Sequence, residues 1–127
     1  MSYYFSKILD LPFAEAVDKA ITALKARGFG VLTRIDVQST LKEKIGADFR
    51  PYVILGACNP RMAHEALMAE DKIGTMLPCN VVVQEFDGKT EVAAVDPVAS
   101  MQAIQNDSLA MIGAKDRGAM KPSGEAI

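Results

Sequence analysis

The dipeptide Asp87-Gly88 constrains this chain more than any other feature. It separates Val81-Val82-Val83 from the run Glu91 to Val95, with Phe86 and Lys89 at the immediate flanks. A type I′ turn needs positive φ at both central residues, and Asp-Gly adopts it readily. Two strand-like runs joined by such a turn pair antiparallel, so any architecture for this sequence must hold at least one antiparallel hairpin.

Working outward from the hairpin gives the rest of the order. Ser2 to Leu9 reads as a strand. Pro12 suits a first helical turn, and Phe13, Val17, Ile21 and Leu24 then recur at helical spacing beside Ala16, Ala20 and Ala23. Gly28 ends that helix, and Phe29, Val31, Thr33 and Ile35 are expected on one face of the strand that follows. Asp36 caps a short helix carrying Val37, Leu41 and Ile45, closed by Gly46, with Lys42, Glu43 and Lys44 on its polar side.

Tyr52 to Cys58 is an uninterrupted apolar run of strand length. Asn59 is a favoured N-cap and Pro60 a favoured first helical residue, so a helix is predicted there with Ala63, Ala66 and Leu67 buried. Asp71 to Leu77 reads as a link. Asp96-Pro97 repeats the cap-then-proline signal and opens a last helix with Val98, Met101 and Ile104. Gly113 to Ile127 is Gly-rich and polar and reads as a flexible tail, leaving residues 1–112 as one domain. A two-layer α+β sandwich fits best, with helices on one face of a mostly antiparallel sheet. A parallel α/β sheet is the rival, because helices separate most of the strands.

Charge and composition exclude several function classes. The formal net charge is −2, so no basic field draws nucleic acid or an anionic membrane. Aromatic residues are few and Trp is absent, which argues against a base-stacking platform. No apolar run approaches the ~20 residues of a membrane span. The start lacks a charged stretch followed by a long apolar one, so no signal peptide is expected. Two cysteines do not make a disulfide scaffold, and a cytoplasmic protein with reduced thiols is the expectation.

Both cysteines sit beside an asparagine and a proline, in Ala57-Cys58-Asn59-Pro60 and Leu77-Pro78-Cys79-Asn80. Cys58 falls just before a helix N-terminus, where the macrodipole favours a thiolate. If the two flanking strands are antiparallel neighbours, the thiols come close, and a disulfide needs Cα atoms within ~7 Å. In a parallel sheet they stand on the order of 20 Å apart. Cysteine outside a disulfide is also among the most buried residue types, so both sulfurs are equally readable as small core groups. His64 is the single histidine. With Cys58 and Cys79 it could complete three ligands for a soft metal, but the spacing matches no zinc pattern. Arg50 and Arg61 flank the apolar strand, where an anion could rest near the Pro60 helix. No phosphate loop, nucleophile elbow or metalloprotease motif is present.

Three blocks carry a family resemblance: Asp36 to Lys44, Tyr52 to Pro60, and Leu77 to Val83, with Gly28-Phe29-Gly30-Val31 in addition. Together they resemble the bacterial and archaeal Domain of Unknown Function 302 family, over nearly the whole chain up to about Ile112. The resemblance implies an α+β fold of TATA-binding-protein-like layout and a homodimer, without implying DNA binding. It carries over no activity and no cofactor. The family's motif residues map onto Lys42, Cys58, Asn59, Pro60, Pro78, Cys79 and Asn80.

The expected function is a homodimeric module for a small polar or anionic ligand, with ligand-binding candidates Cys58, Asn59, Cys79, Asn80 and Lys42. The alternatives are redox or sulfur-transfer chemistry through Cys58 and Cys79, and a soft-metal binder. The exposed edge of the Thr90 strand is the expected dimer surface.

Overall fold

The computed structural model describes residues 2–102, 104 and 106–126. Five strands form one sheet in the order β1-β5-β4-β3-β2: β1 (Tyr4–Leu9), β2 (Gly30–Asp36), β3 (Tyr52–Cys58), β4 (Cys79–Phe86) and β5 (Lys89–Val95). Every pairing is antiparallel, which removes the parallel alternative. The helices are α1 (Phe13–Ala26), α2 (Val37–Ile45), α3 (Pro60–Ala69), α4 (Pro97–Ser100) and α5 (Asp107–Ala126), with a 3₁₀ turn at Asp71–Met76. They cover one side of the sheet and leave the other open. Among the described residues, no helix is long and apolar enough to cross a membrane.

The local signals act as their chemistry requires. Asp87 and Gly88 take φ of 51° and 72°, the positive values a type I′ turn demands, and β4 and β5 pair from Phe86↔Lys89 onward. The Asp36 carboxylate accepts the Ser39 N–H at 3.0 Å and starts α2, and Gly46 ends it in the left-handed region. Gly28 releases α1 into β2, while the Phe29 N–H returns to the Leu24 carbonyl at 2.9 Å.

The main core lies between α1 and the sheet. Leu24 and Phe29 meet Val53, Leu55, Val81, Val83 and Val92, all buried. These valines and leucines alternate along β3, β4 and β5, so the intervening residues face the open side. A smaller core joins Ala66 of α3, Ile73, Met101, Leu109 and Ile112.

Several expectations need correction. The segment read as a tail from Gly113 is helical through Ala126, and the last predicted helix stops at Ser100. Asn106 begins α5, its side-chain oxygen accepting the Ser108 N–H at 3.0 Å and its amide donating to the Ala69 carbonyl at 3.0 Å. Gly113 is a contact residue rather than a breaker: a Cβ there would stand 3.5 Å from Met101 Sδ and 3.7 Å from the Pro97 carbonyl oxygen. Phe29, just before β2, and Val31 on it turn to the core, but Thr33 and Ile35 do not. The register shifts between Val31, opposite Ala57, and Thr33, opposite Gly56, and this bulge moves the later residues to the open face. Leu67 of α3 is exposed, and Met62 and Ala69 pack in its stead. Thr90 is buried within β5, which is flanked by β1 and β4, so the Thr90 strand offers no free edge; the edges are β1 and β2.

Candidate functional site

Cys79 pairs with Ala57 across β4 and β3, and Cys58 is the next residue along β3, so the two sulfur-bearing positions are diagonal neighbours. Cys79 and Ala57 are both buried in the main core. Successive side chains leave a strand on opposite faces, so Cys58 starts from the other side of the pleat. Both residues are thiols. A disulfide needs converging Cβ atoms, which this register does not supply without backbone movement.

Cys58, Asn59 and Cys79 nevertheless border one recess, closed over by Met62, Ala66 and Leu77. Its room is about 10 Å³. That is close to the space of one water molecule, so no larger ligand enters it. The Asn59 side-chain oxygen is engaged there as the cap of α3, accepting the Met62 N–H at 3.2 Å. Cys79 is 7% exposed, and Cys58 is half-buried.

Asn80 lies on exposed ground, with its side chain toward the open face. Cys79 and Asn80 do share a cleft of about 250 Å³ beside the 3₁₀ turn, with Pro78, Val95 and Ser100. Lys42 stands apart on α2, where its Nζ donates to Asp48 at 2.9 Å and both side chains are solvated. His64 is exposed on α3 beside α5 and does not border the cysteine recess. Among the described residues, no cluster of three His, Cys, Asp or Glu side chains could hold a metal ion. Arg61 is exposed, and Arg50 stacks on the Phe49 ring at 4.5 Å.

A larger concavity lies on the open face of the sheet, crossing β1, β5, β4 and β3. It has a volume of about 410 Å³, within the usual range for a small-molecule site. Its floor is Val82 of β4 and Ala93 of β5, which are direct partners. Tyr3 and Tyr4 form one wall, their rings edge-on with centroids 5.0 Å apart, and Tyr52 contributes from β3. Asn80, Gln84 and Glu91 supply polar groups. Gln84 and Glu91 are cross-strand partners, and Gln84 Nε2 donates to Glu91 Oε1 at 3.0 Å.

The position of Asn80 follows from the sharp transition that precedes it. Gly56 on β3 lies beneath Thr33 and Pro78; a Cβ on it would meet Thr33 Oγ1 and stand 2.7 Å from Pro78 Cγ. The bare backbone of Gly56 thus lets the Leu77-Pro78 segment lie across the strand and deliver Cys79 inward and Asn80 outward. Sequence reasoning did not pick out Tyr3, Tyr4, Tyr52, Gln84 or Glu91. The signal was present in the alternation: Asn80, Val82 and Gln84 on β4 and Glu91, Ala93 and Val95 on β5 share one face, and that face mixes apolar residues with amides and a carboxylate.

A family model for the domain of unknown function DUF302 matches residues 5–126. The match runs into α5, past the limit near Ile112 that the sequence motifs mark. Among solved structures, the crystal structure of an uncharacterized conserved DUF302 protein from Bacillus stearothermophilus has a TM-score of 0.91 and 28% identity, with 98% of each chain covered. The comparison with curated proteins finds no match. On the agreement of sequence motifs, family model and fold, the chain belongs to the DUF302 family.

Proposed function

We propose that this protein is a small-ligand-binding module whose ligand rests in the groove on the open sheet face. The observation that carries the reading is the groove itself: about 410 Å³, an apolar floor, tyrosine walls, and Asn80, Gln84 and Glu91 at hand for orientation. A small-molecule site has this make-up, mostly apolar with a few polar groups. The cysteine recess is too small for that role, so Cys58, Asn59 and Cys79 act in this reading as supports of the β3–α3 and β4 corners. The homodimer belongs to the same proposal. Its support is the β2 edge, where Leu32, Ile35 and, on the adjoining α2, Ile45 are large exposed apolar residues. A cytoplasmic location remains part of the proposal on the grounds of the two thiols.

A thermal-shift screen of small polar and aromatic compounds tests the binding site. A compound that stabilises the protein is expected to lose its effect in Asn80→Ala and in Ala93→Leu, which fills the floor, and to keep it in Cys58→Ser. Loss in Cys58→Ser with retention in both groove variants refutes the assignment. Analytical ultracentrifugation of Leu32→Glu tests the dimer; a wild-type chain that sediments as a monomer at high concentration ends that part.

One observation favours a second reading, sulfur chemistry at Cys58. The residue is half-buried immediately before the Asn59 cap of α3, where the helix dipole supports a thiolate. Iodoacetamide labelling followed by intact mass against pH decides. Rapid modification of Cys58 below the ordinary thiol range near ~8.5 supports it, and labelling that requires unfolding refutes it.

A further inference from the structure

The groove has a charge sign, and that sign selects the ligand. We propose that its ligand is a small organic cation, an ammonium or amidinium group on an apolar or aromatic body; this rests on the groove being the binding site.

Among the described residues, Glu91 is the one acidic or basic side chain that lines the groove. Its carboxylate is half-buried on the sheet face, oriented by the Gln84 amide through Oε1. Among the described residues, no salt bridge reaches Glu91. Lys89, the preceding residue on the same face of β5, is exposed toward the hairpin and does not line the groove. An ammonium entering the groove gains a charge-assisted hydrogen bond from that carboxylate. An anion would face the same carboxylate as a like charge.

The walls point the same way. Tyr3, Tyr4 and Tyr52 surround the groove, and the negative faces of aromatic rings attract cations. Val82 and Ala93 between them accept the hydrocarbon part of such a ligand. Asn80, at the opposite end of β4 from Gln84, has an amide that can donate to or accept from a polar tail. The expectation of an anionic ligand drew on the helix N-terminus and on Arg50 and Arg61, neither of which lines this groove.

Three probes of one shape and different charge test the proposal on the full chain: phenethylamine, phenylacetamide and phenylacetate, titrated by amide-resolved NMR. Phenethylamine is expected to shift the amides of Asn80, Val82, Glu91 and Ala93 and to bind about tenfold or more tighter than phenylacetamide, with phenylacetate weakest. Glu91→Gln, nearly isosteric and still able to accept from Gln84, is expected to erase this ranking. The ranking on the unaltered protein stands independently of that variant. If phenylacetamide or phenylacetate moves the groove amides as strongly as phenethylamine, the groove reading survives and the cation inference is overturned. If none of the three moves them at millimolar concentration, both are overturned.

Discussion

Gly56→Ala is the substitution that tests how β3, β2 and the Leu77-Pro78 segment fit together. The added methyl would meet Thr33 Oγ1 and Pro78 Cγ, the latter at 2.7 Å, with Thr33 Cβ at 3.5 Å. Thr33 is on the edge strand and can rotate away, whereas the Pro78 ring cannot. Overpacking of this kind costs about 1–3 kcal/mol, and the reduced freedom of the unfolded chain returns about 0.4–1 kcal/mol. The net expectation is a loss of about 1–2 kcal/mol. An unfolding entropy of about 2.1 cal/mol/K per residue over 127 residues converts this to a melting temperature lower by about 4–8 °C. Calorimetry reads that shift, and urea unfolding reads the matching change in midpoint at constant m-value. Adding Thr33→Ala to Gly56→Ala should recover only part of the loss, because Pro78 stays in place. A melting temperature for Gly56→Ala equal to or above that of the parent refutes the close approach, and with it the account of how Asn80 is brought to the groove.

Three further outcomes are expected. Arg117 Nε lies 3.3 Å from Asp96 Oδ2, whose side chain is 6% exposed and also caps α4 through the Val98 N–H; Arg117→Met should lower stability by about 1–2 kcal/mol, discounted because Arg117 itself is half exposed, and an unchanged urea midpoint counts against it. Asn59→Ala removes the α3 cap and should cost about 1 kcal/mol, while Asn59→Asp retains it; equal losses in the two variants by thermal melting contradict the capping role. Lys42→Gln breaks an ion pair between two solvated side chains and should change stability by less than about 0.5 kcal/mol, so a larger drop by the same assay would give Lys42 a structural role the geometry does not assign.

The elements whose boundaries are set by local chemistry were legible from residues alone. Asn59-Pro60 and Asp36 act through bonds within three residues of themselves, and Asp87-Gly88 through its own φ angles. What was not legible depends on contacts distant in sequence. The Gly-rich stretch from Gly113 read as a tail because a helix that holds glycine gains its stability from packing, and Gly113 packs on Met101 and Pro97. The β2 bulge has no signature in Val31-Leu32-Thr33, so the face of Thr33 and Ile35 could not be assigned from alternation. The candidate site divides in the same way. The Cys-Asn pairs drew attention as motifs, and the antiparallel register does bring their corners together. Alternation along β4 nonetheless turns Cys79 and Asn80 to opposite faces. The groove is assembled from β1, β3, β4 and β5, and no single stretch of sequence contains it.

Sheet order has a consequence for biosynthesis. Strands β2, β3 and β4 each lie beside their successor, but β1 pairs with β5, matching Tyr4 to Val95 and Leu9 to Thr90. During translation β1 therefore emerges before every other strand and waits for β5 to leave the exit tunnel. Pairings so remote along the polymer form slowly, since loop closure must come before contact energy. Throughout that interval Leu9, buried in the finished fold, lacks the strand and helix that cover it.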